Sequence, residues 1–258
     1  MNARWTLDNK RALVTGATKG IGQAVADELC ALGATVLVVA RDADGVNGAV
    51  ADLAARHAAG RVFGIAADVT HEDGRRAVLD KANDALGGLD ILVNNVGTNI
   101  RKPSLDYSAD DYAFLLQTNL TSAWEMCRAA HPLLSASGDN ASIVNVGSVA
   151  GSVSVHSGAP YAMTKAALDQ LTRYLAVEWA PNNIRVNCVA PWYTYTPLAN
   201  AVLSRPEFEA GVLARTPLGR VAVPEDISGA VAFLCLPCAR HITGQVLSVD
   251  GGFTAFGF

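Results

Sequence analysis

The sequence predicts an α/β fold, a doubly wound parallel sheet of about seven strands with helices on both faces. Two observations carry this. Short β-branched runs alternate with longer amphipathic stretches along all 258 residues, the rhythm that builds parallel sheets. Several runs, such as ATVLVVA at 34–40, are apolar at nearly every position, as strands covered on both faces require. Strands are expected at 11–16, 34–40, 61–69, 89–95, 141–147, 183–190 and 245–251. Helices are expected around 21–32, 44–59, 71–87, 109–134, 159–180 and 224–235. No linker, repeat or low-complexity segment interrupts the alternation, so 1–258 reads as one domain. The stretch 192–220 breaks the rhythm with a tryptophan, two tyrosines and three prolines. It follows a strand, where open α/β sheets bind ligands, and is the candidate substrate lid.

Composition narrows the function classes. Half of the residues are apolar and 17% are charged, which suits a globule and not a disordered chain. A net charge of −4 gives no basic footprint for nucleic acid. No apolar run reaches the roughly 18–20 residues of a membrane span, and the polar start lacks a signal-peptide core. Five scattered cysteines then suggest a reduced, cytoplasmic protein. Cys235 and Cys238 form a CxxC at the end of an apolar helix, where the dipole does not favour a thiolate, so packing is the expected role. With no second such pair, no metal site is expected.

The first strand runs into Thr15-Gly16-Ala17-Thr18-Lys19-Gly20-Ile21-Gly22, which opens a helix. Glycines let the backbone turn sharply and approach a pyrophosphate, and the helix N-terminus offers unpaired N–H groups. A glycine cluster alone is weak evidence, but its strand–turn–helix setting marks a dinucleotide site. The second strand ends at Arg41 with no preceding carboxylate for a ribose 2′-hydroxyl. Arg41, with Lys19 in the turn, instead suits a 2′-phosphate, so the expected cofactor is NADP(H). Asp42, next in sequence, should point the opposite way.

Tyr161 and Lys165 lie four residues apart on an expected helix and share a face. An ammonium one turn away favours the phenolate, which makes the pair an acid/base for a substrate oxygen. Ser148, thirteen positions earlier and just past a strand, is placed to donate to the same oxygen. On its own such a tyrosine–lysine spacing is common. Its order after the glycine turn and Ser148 makes it specific.

Together these residues resemble the short-chain dehydrogenase/reductase family, over essentially the whole chain. The matching segments are TGATKGIG (15–22), Asp68-Val69, NNVG (94–97), Asn119 in QTNLT, Ser148, YAMTK (161–165) and IRVNCVAP (184–191). AHPLL (130–134), AVEWAPNNIRVN (176–187), AFLCLP and TGQVLSVDGG are similar to tropinone reductases and proteins like them. The resemblance implies a Rossmann-like fold and a reaction that moves hydride between nicotinamide and a ketone or secondary alcohol. It implies that Asn119 holds a helix kink and a proton relay, and that Lys165 also binds the nicotinamide ribose. Asp68 and Val69 would contact the adenine. Asn95, Val96 and Gly97 would line the cofactor cleft, with Pro191 and Thr194 near the nicotinamide and Thr196 bonding its carboxamide. It also implies a homodimer or homotetramer.

Trp192 stands where this family usually has glycine after Pro191. Trp192, Tyr193 and Tyr195 therefore either wall a pocket for a small cyclic ketone or pack the lid onto the body. His156, between Ser148 and Tyr161, is a candidate substrate contact or a solvated loop residue. Two alternatives stand beside a carbonyl reductase: a 3-oxoacyl-thioester reductase, for which Arg101 and Lys102 would face an acidic carrier, and a non-catalytic nucleotide sensor.

Overall fold

The computed structural model describes residues 3–58, 60–138 and 140–257. The seven expected runs form β1 (Arg11–Thr15), β2 (Thr35–Ala40), β3 (Val62–Ala66), β4 (Ile91–Asn94), β5 (Ala141–Val146), β6 (Ile184–Pro191) and β7 (Val246–Val249). They pair in parallel in the order β3-β2-β1-β4-β5-β6-β7. The chain steps outward from β1 to β3, then returns to the other side of β1 for β4. Beyond the carboxyl ends of β1 and β4 the connections diverge, and a crevice opens there.

Alternation along the strands builds two cores. Ala12, Val14, Val36 and Val38 face α1 (Gly20–Ala31), α2 (Ala43–Arg56) and α9 (Pro224–Cys235). Leu13, Leu37 and Val39 face α3 (Glu72–Leu86), α5 (Ser122–Ser135) and α6 (Ala159–Glu178). Because successive side chains take opposite faces, a strand apolar throughout feeds both layers. Local chemistry sets the helix ends. Asp42 caps α2 by accepting from the Gly45 amide at 2.8 Å, and Gly87 closes α3 at φ 73°, a left-handed position that suits glycine.

Two segments differ from expectation. The helix expected over 109–134 is instead α4 (Ala109–Leu116), a π-helical turn (Gln117–Thr121) and α5. Within the turn Ser122 Oγ donates to the Thr118 carbonyl at 2.6 Å, and Asn119 turns its side chain inward. The extra residue disturbs the regular helical ladder at that point. The 192–220 stretch is not a plain loop: it carries α7 (Pro197–Leu203) and α8 (Pro206–Ala214), each started by a proline in its first turn. Ala199, Leu203, Val212 and Val221 give this lid a small core of its own.

No helix among the described residues is long and apolar enough to cross a membrane. All five cysteines are free. Cys235 is the last residue of α9 and buried, and burial pushes its thiol up to about 12, opposite to what redox chemistry needs.

The start of the sheet is tied by one ion pair. Arg11 donates from Nε to Asp90 Oδ2 at 2.8 Å and from Nη2 to Oδ1 at 3.0 Å, while Ser137 Oγ donates to Oδ1 at 2.5 Å. Burial would raise the Asp90 carboxyl, but these bonds outweigh it and hold it below the usual carboxylate range. A carboxyl lowered on folding stabilises above its unfolded pKa of about 4, and that contribution is lost as pH falls through the lower folded value. Asp90→Ala should therefore cost about 3 kcal/mol at neutral pH in denaturant titration. The loss should shrink as both proteins are taken below pH ~4.

Candidate active site

The crevice is a cavity of about 680 Å³ between the glycine turn, the carboxyl ends of β4 and β5, the start of α6 and the lid. The glycine turn is held from the neighbouring strand. Asn95 Nδ2 donates to the carbonyls of Thr15 and Gly16 at 3.0 and 3.1 Å. Thr15 Oγ1 in turn accepts from the amides of Asn95 and Val96 at 3.0 and 3.3 Å. Gly16 takes φ 64°, and a Cβ on Gly22 would meet the Gly16 carbonyl oxygen at 2.3 Å. Gly22 itself does not line the cavity; its hydrogen side chain lets α1 pack against the turn.

Gly16, Thr18, Lys19, Gly20 and Ile21 line one end, with Arg41, Asp68 and Val69 beside them. Neither Lys19 nor Arg41 enters an ion pair among the described residues. As expected, Asp42 directs a carboxylate oxygen to its own helix and not to Arg41. Burial works to raise the Asp68 carboxyl, but bonds from the Thr70 hydroxyl and amide, and the Arg41 charge, hold it low. Asn95, Val96, Gly97, Pro191, Thr194 and Thr196 line the middle. Thr196 caps α7 by accepting from Ala199 at 3.2 Å, and its methyl would lie 3.3 Å from a Cβ at Gly20, so lid and glycine turn adjoin. The Gly-rich floor, divergent strands and two cations fit a dinucleotide.

Ser148, Tyr161 and Lys165 converge on the other end. Ser148 follows β5 and accepts from the Ala150 amide at 3.1 Å, which turns the chain and fixes the hydroxyl. Tyr161 and Lys165 lie on consecutive turns of α6, with the ammonium 5.8 Å from the phenol ring centre. Lys165 is only 4% exposed and donates one proton to the Val146 carbonyl at 2.8 Å. A Cβ on Gly97 would lie 3.5 Å from its nitrogen, so the absent side chain leaves the approach to the ammonium open. α6 is fixed by a buried polar ladder. Asn94 donates to Asn145 at 3.0 Å, Asn145 to Thr172 at 2.9 Å, and Thr172 to the Leu168 carbonyl at 2.9 Å.

Asn119 is buried beneath this end and outside the cavity wall. Its Oδ1 accepts from the Thr98 amide at 2.8 Å and its Nδ2 donates to the Thr98 carbonyl at 2.9 Å and to Thr164 Oγ1 at 3.3 Å. The π-helical turn thus ties the loop after β4 to the catalytic helix.

The aromatic residues divide. Trp192 lines the cavity and also packs the lid: its ring stacks on Phe253 at 3.7 Å, and Nε1 donates to Thr216 at 3.2 Å. Tyr193 forms wall, against Trp192 at 4.6 Å. Tyr195 does not line the cavity; it is partly exposed and its hydroxyl donates to Glu209 on α8. His156 is exposed and faces a separate shallow groove, while its neighbours Val155 and Ser157 line the cavity. Lys102 is paired with Asp111 at 2.6 Å, and Arg101 lines both the cavity and the shallow groove that holds Lys102 and His156. Sequence reasoning missed Asn99, Phe114, Val155, Ser157 and Leu198, which no motif marks.

Comparison with known proteins agrees with this geometry. Residues 16–254 match the family model described as enoyl-(acyl carrier protein) reductase. A tropinone reductase homolog of Arabidopsis thaliana is 52% identical over 256 residues, covering 99% of this chain and 96% of its own. A gluconate 5-dehydrogenase from Burkholderia cenocepacia, solved with NADP and tartrate, superimposes with a TM-score of 0.93 at 32% identity, covering 98% of each chain. A 7α-hydroxysteroid dehydrogenase, solved with NADH and 7-oxo glycochenodeoxycholic acid, gives 0.93 at 34% identity, covering 98% of this chain and 97% of its own. With catalytic geometry, sheet order and full-length likeness in agreement, the chain belongs to the short-chain dehydrogenase/reductase family of nicotinamide-dependent oxidoreductases, on its tropinone-reductase-like side.

Proposed function

We infer that the protein is an NADP(H)-dependent oxidoreductase that interconverts a small ketone and its secondary alcohol. The observation that carries this is the convergence of Ser148, Tyr161 and Lys165 on the same cavity as the glycine turn. A bound nicotinamide supplies or accepts the hydride. In reduction, Tyr161 gives its phenolic proton to the carbonyl oxygen, and in oxidation it takes the proton back. Ser148 donates to the same oxygen and stabilises the charge that gathers there. The Lys165 ammonium favours the phenolate that Tyr161 leaves behind, and holds the ribose. Asn119 keeps α6 and the loop after β4 in register. Lys19 and Arg41, both without carboxylate partners, favour the cofactor with the 2′-phosphate. The relatives bearing NADP and NADH show that the fold accepts both, so the preference rests on these two side chains. On α6 the exposed Met163, Tyr174 and Val177 supply an apolar face for a second copy of the chain.

Tyr161→Phe should lower kcat about 10²- to 10⁴-fold in an NADPH-consumption assay over a ketone panel. NADPH binding, followed by fluorescence, should persist. An unchanged kcat would remove Tyr161 from the chemistry. Arg41→Ala should reduce the ratio of kcat/KM with NADPH to that with NADH about tenfold or more, the worth of one charge-assisted contact. An unchanged ratio would place the specificity elsewhere.

A further inference from the structure

Four buried side-chain polar atoms among the described residues have no hydrogen-bond partner: Asn99 Oδ1, Arg101 Nε, Ser157 Oγ and Arg185 Nη2. Three of their four residues, Asn99, Arg101 and Ser157, line the same cavity. A buried polar atom left unpaired costs about 1–3 kcal/mol, so three in one cavity point to a ligand that completes them. They do not result from a loose loop. Asn99 Nδ2 donates to the Ser157 carbonyl at 3.0 Å, and Tyr107 donates from its hydroxyl to the Ile100 carbonyl at 2.5 Å. Gly158 takes φ 92°, and a Cβ there would fall 2.0 Å from that tyrosine oxygen. Two loops are thus locked together with unused polar atoms between them. Ser157 is 5% exposed.

The charge is one-sided. Arg101 makes no ion pair among the described residues, and Asp111 is paired with Lys102 at 2.6 Å. The carboxylates that line the cavity are Asp42 and Asp68, beside Arg41 and the glycine turn. None lines the end that holds Ser148 and Tyr161. Burial raises the Tyr193 phenol, while the charge of the Arg101 guanidinium and its hydrogen bond to that hydroxyl work the other way. Arg101, Tyr193 and Tyr161 thus share one cavity wall.

We propose that Asn99, Arg101 and Ser157 form a subsite for a carboxylate on the substrate, so that the preferred ketone is a keto acid and not an amino ketone. This rests on the oxidoreductase reading above and names the substrate class of that same site. Arg101 presents Nε–H and an Nη–H side by side, the fork that meets a carboxylate with two parallel bonds. The Ser157 hydroxyl donates to the same group, and Asn99 Oδ1 accepts from a hydroxyl carried nearby. Trp192 and Tyr193 cover the hydrocarbon between carboxylate and carbonyl. A protonated amine in this position would meet the arginine as a like charge in a partly desolvated site, and is rejected.

Three cyclic ketones of similar size test this with NADPH at neutral pH: 4-oxocyclohexane-1-carboxylate, its carboxamide, and N-methyl-4-piperidone. The expected order of kcat/KM is carboxylate, carboxamide, protonated amine, with the first about tenfold or more above the second, the worth of one charged contact. Arg101→Gln should lower the carboxylate-to-carboxamide ratio about tenfold, and Arg101→Lys should restore part of it. Ser157→Ala, a smaller change, should lower the ratio severalfold. A wild-type ratio at or below one overturns the subsite, as does an Arg101→Gln variant that loses both substrates equally. Turnover of the carboxamide with no charge preference sinks this inference alone. If NADPH binds yet none of the three is reduced, the oxidoreductase reading falls and this one with it.

Discussion

The active site exists because the chain reverses its direction of strand addition between β1 and β4, and Asn95 and Thr15 clamp that seam. Parallel strands place all their carboxyl ends on one edge, but only where neighbouring connections diverge does the edge open into a crevice. Asn95 reaches from the end of β4 to two carbonyls of the glycine turn, and Thr15 answers through two amides. Both residues serve as structural cross-links as much as cavity residues. The glycine turn can present its N–H groups to a phosphate because its own carbonyls are already satisfied from across the seam.

The position of α6, which carries Tyr161 and Lys165, depends on a second set of buried bonds. An α-helix packed only by apolar contacts can slide or rotate at modest cost, and a shift of about 1 Å at the acid/base is enough to impair proton transfer. The run from Asn94 through Asn145 to Thr172, and the bond of Lys165 to the Val146 carbonyl, remove that freedom. Each partner is wholly or almost wholly buried, so a misregistered α6 would strand several polar groups at once. Asn119 adds a link from a different element, since the π-helical turn brings its side chain to the backbone of Thr98. The irregular turn is the local cost of that contact.

Charge divides the cavity into two ends. Lys19 and Arg41 lie at the glycine-turn end, where the Arg41 charge reaches Asp68 without an ion pair, whereas no carboxylate among the described residues lines the end that holds Arg101, Ser148 and Tyr161. The 192–220 segment borders the cavity, has a small core of its own and is anchored by Trp192 stacked on Phe253. Trp192 thereby serves as wall and clasp together.

Much of this was legible in the chain alone. Seven strands and the main helices follow from periodicity, because burial on both faces of a parallel sheet imposes a pattern that no other arrangement needs. That Ser148, Tyr161, Lys165 and the glycine turn line one cavity was foreshadowed by their local spacings. What the sequence could not carry was anything set by contacts between distant segments. Tyr195 and Tyr193 look alike in the chain, yet Tyr195 bonds Glu209 on α8 while Tyr193 packs on Trp192 and Phe208 and lines the cavity. His156 is the conspicuous residue of its loop, but its neighbour Ser157 faces the cavity. Arg101 reads as half of a surface pair, yet Lys102 pairs with Asp111 while Arg101 also reaches the cavity wall. Sequence determines the fold and the reaction class here through local pattern. Only tertiary packing, which selects the face each side chain presents, decided the shape and charge of the substrate end.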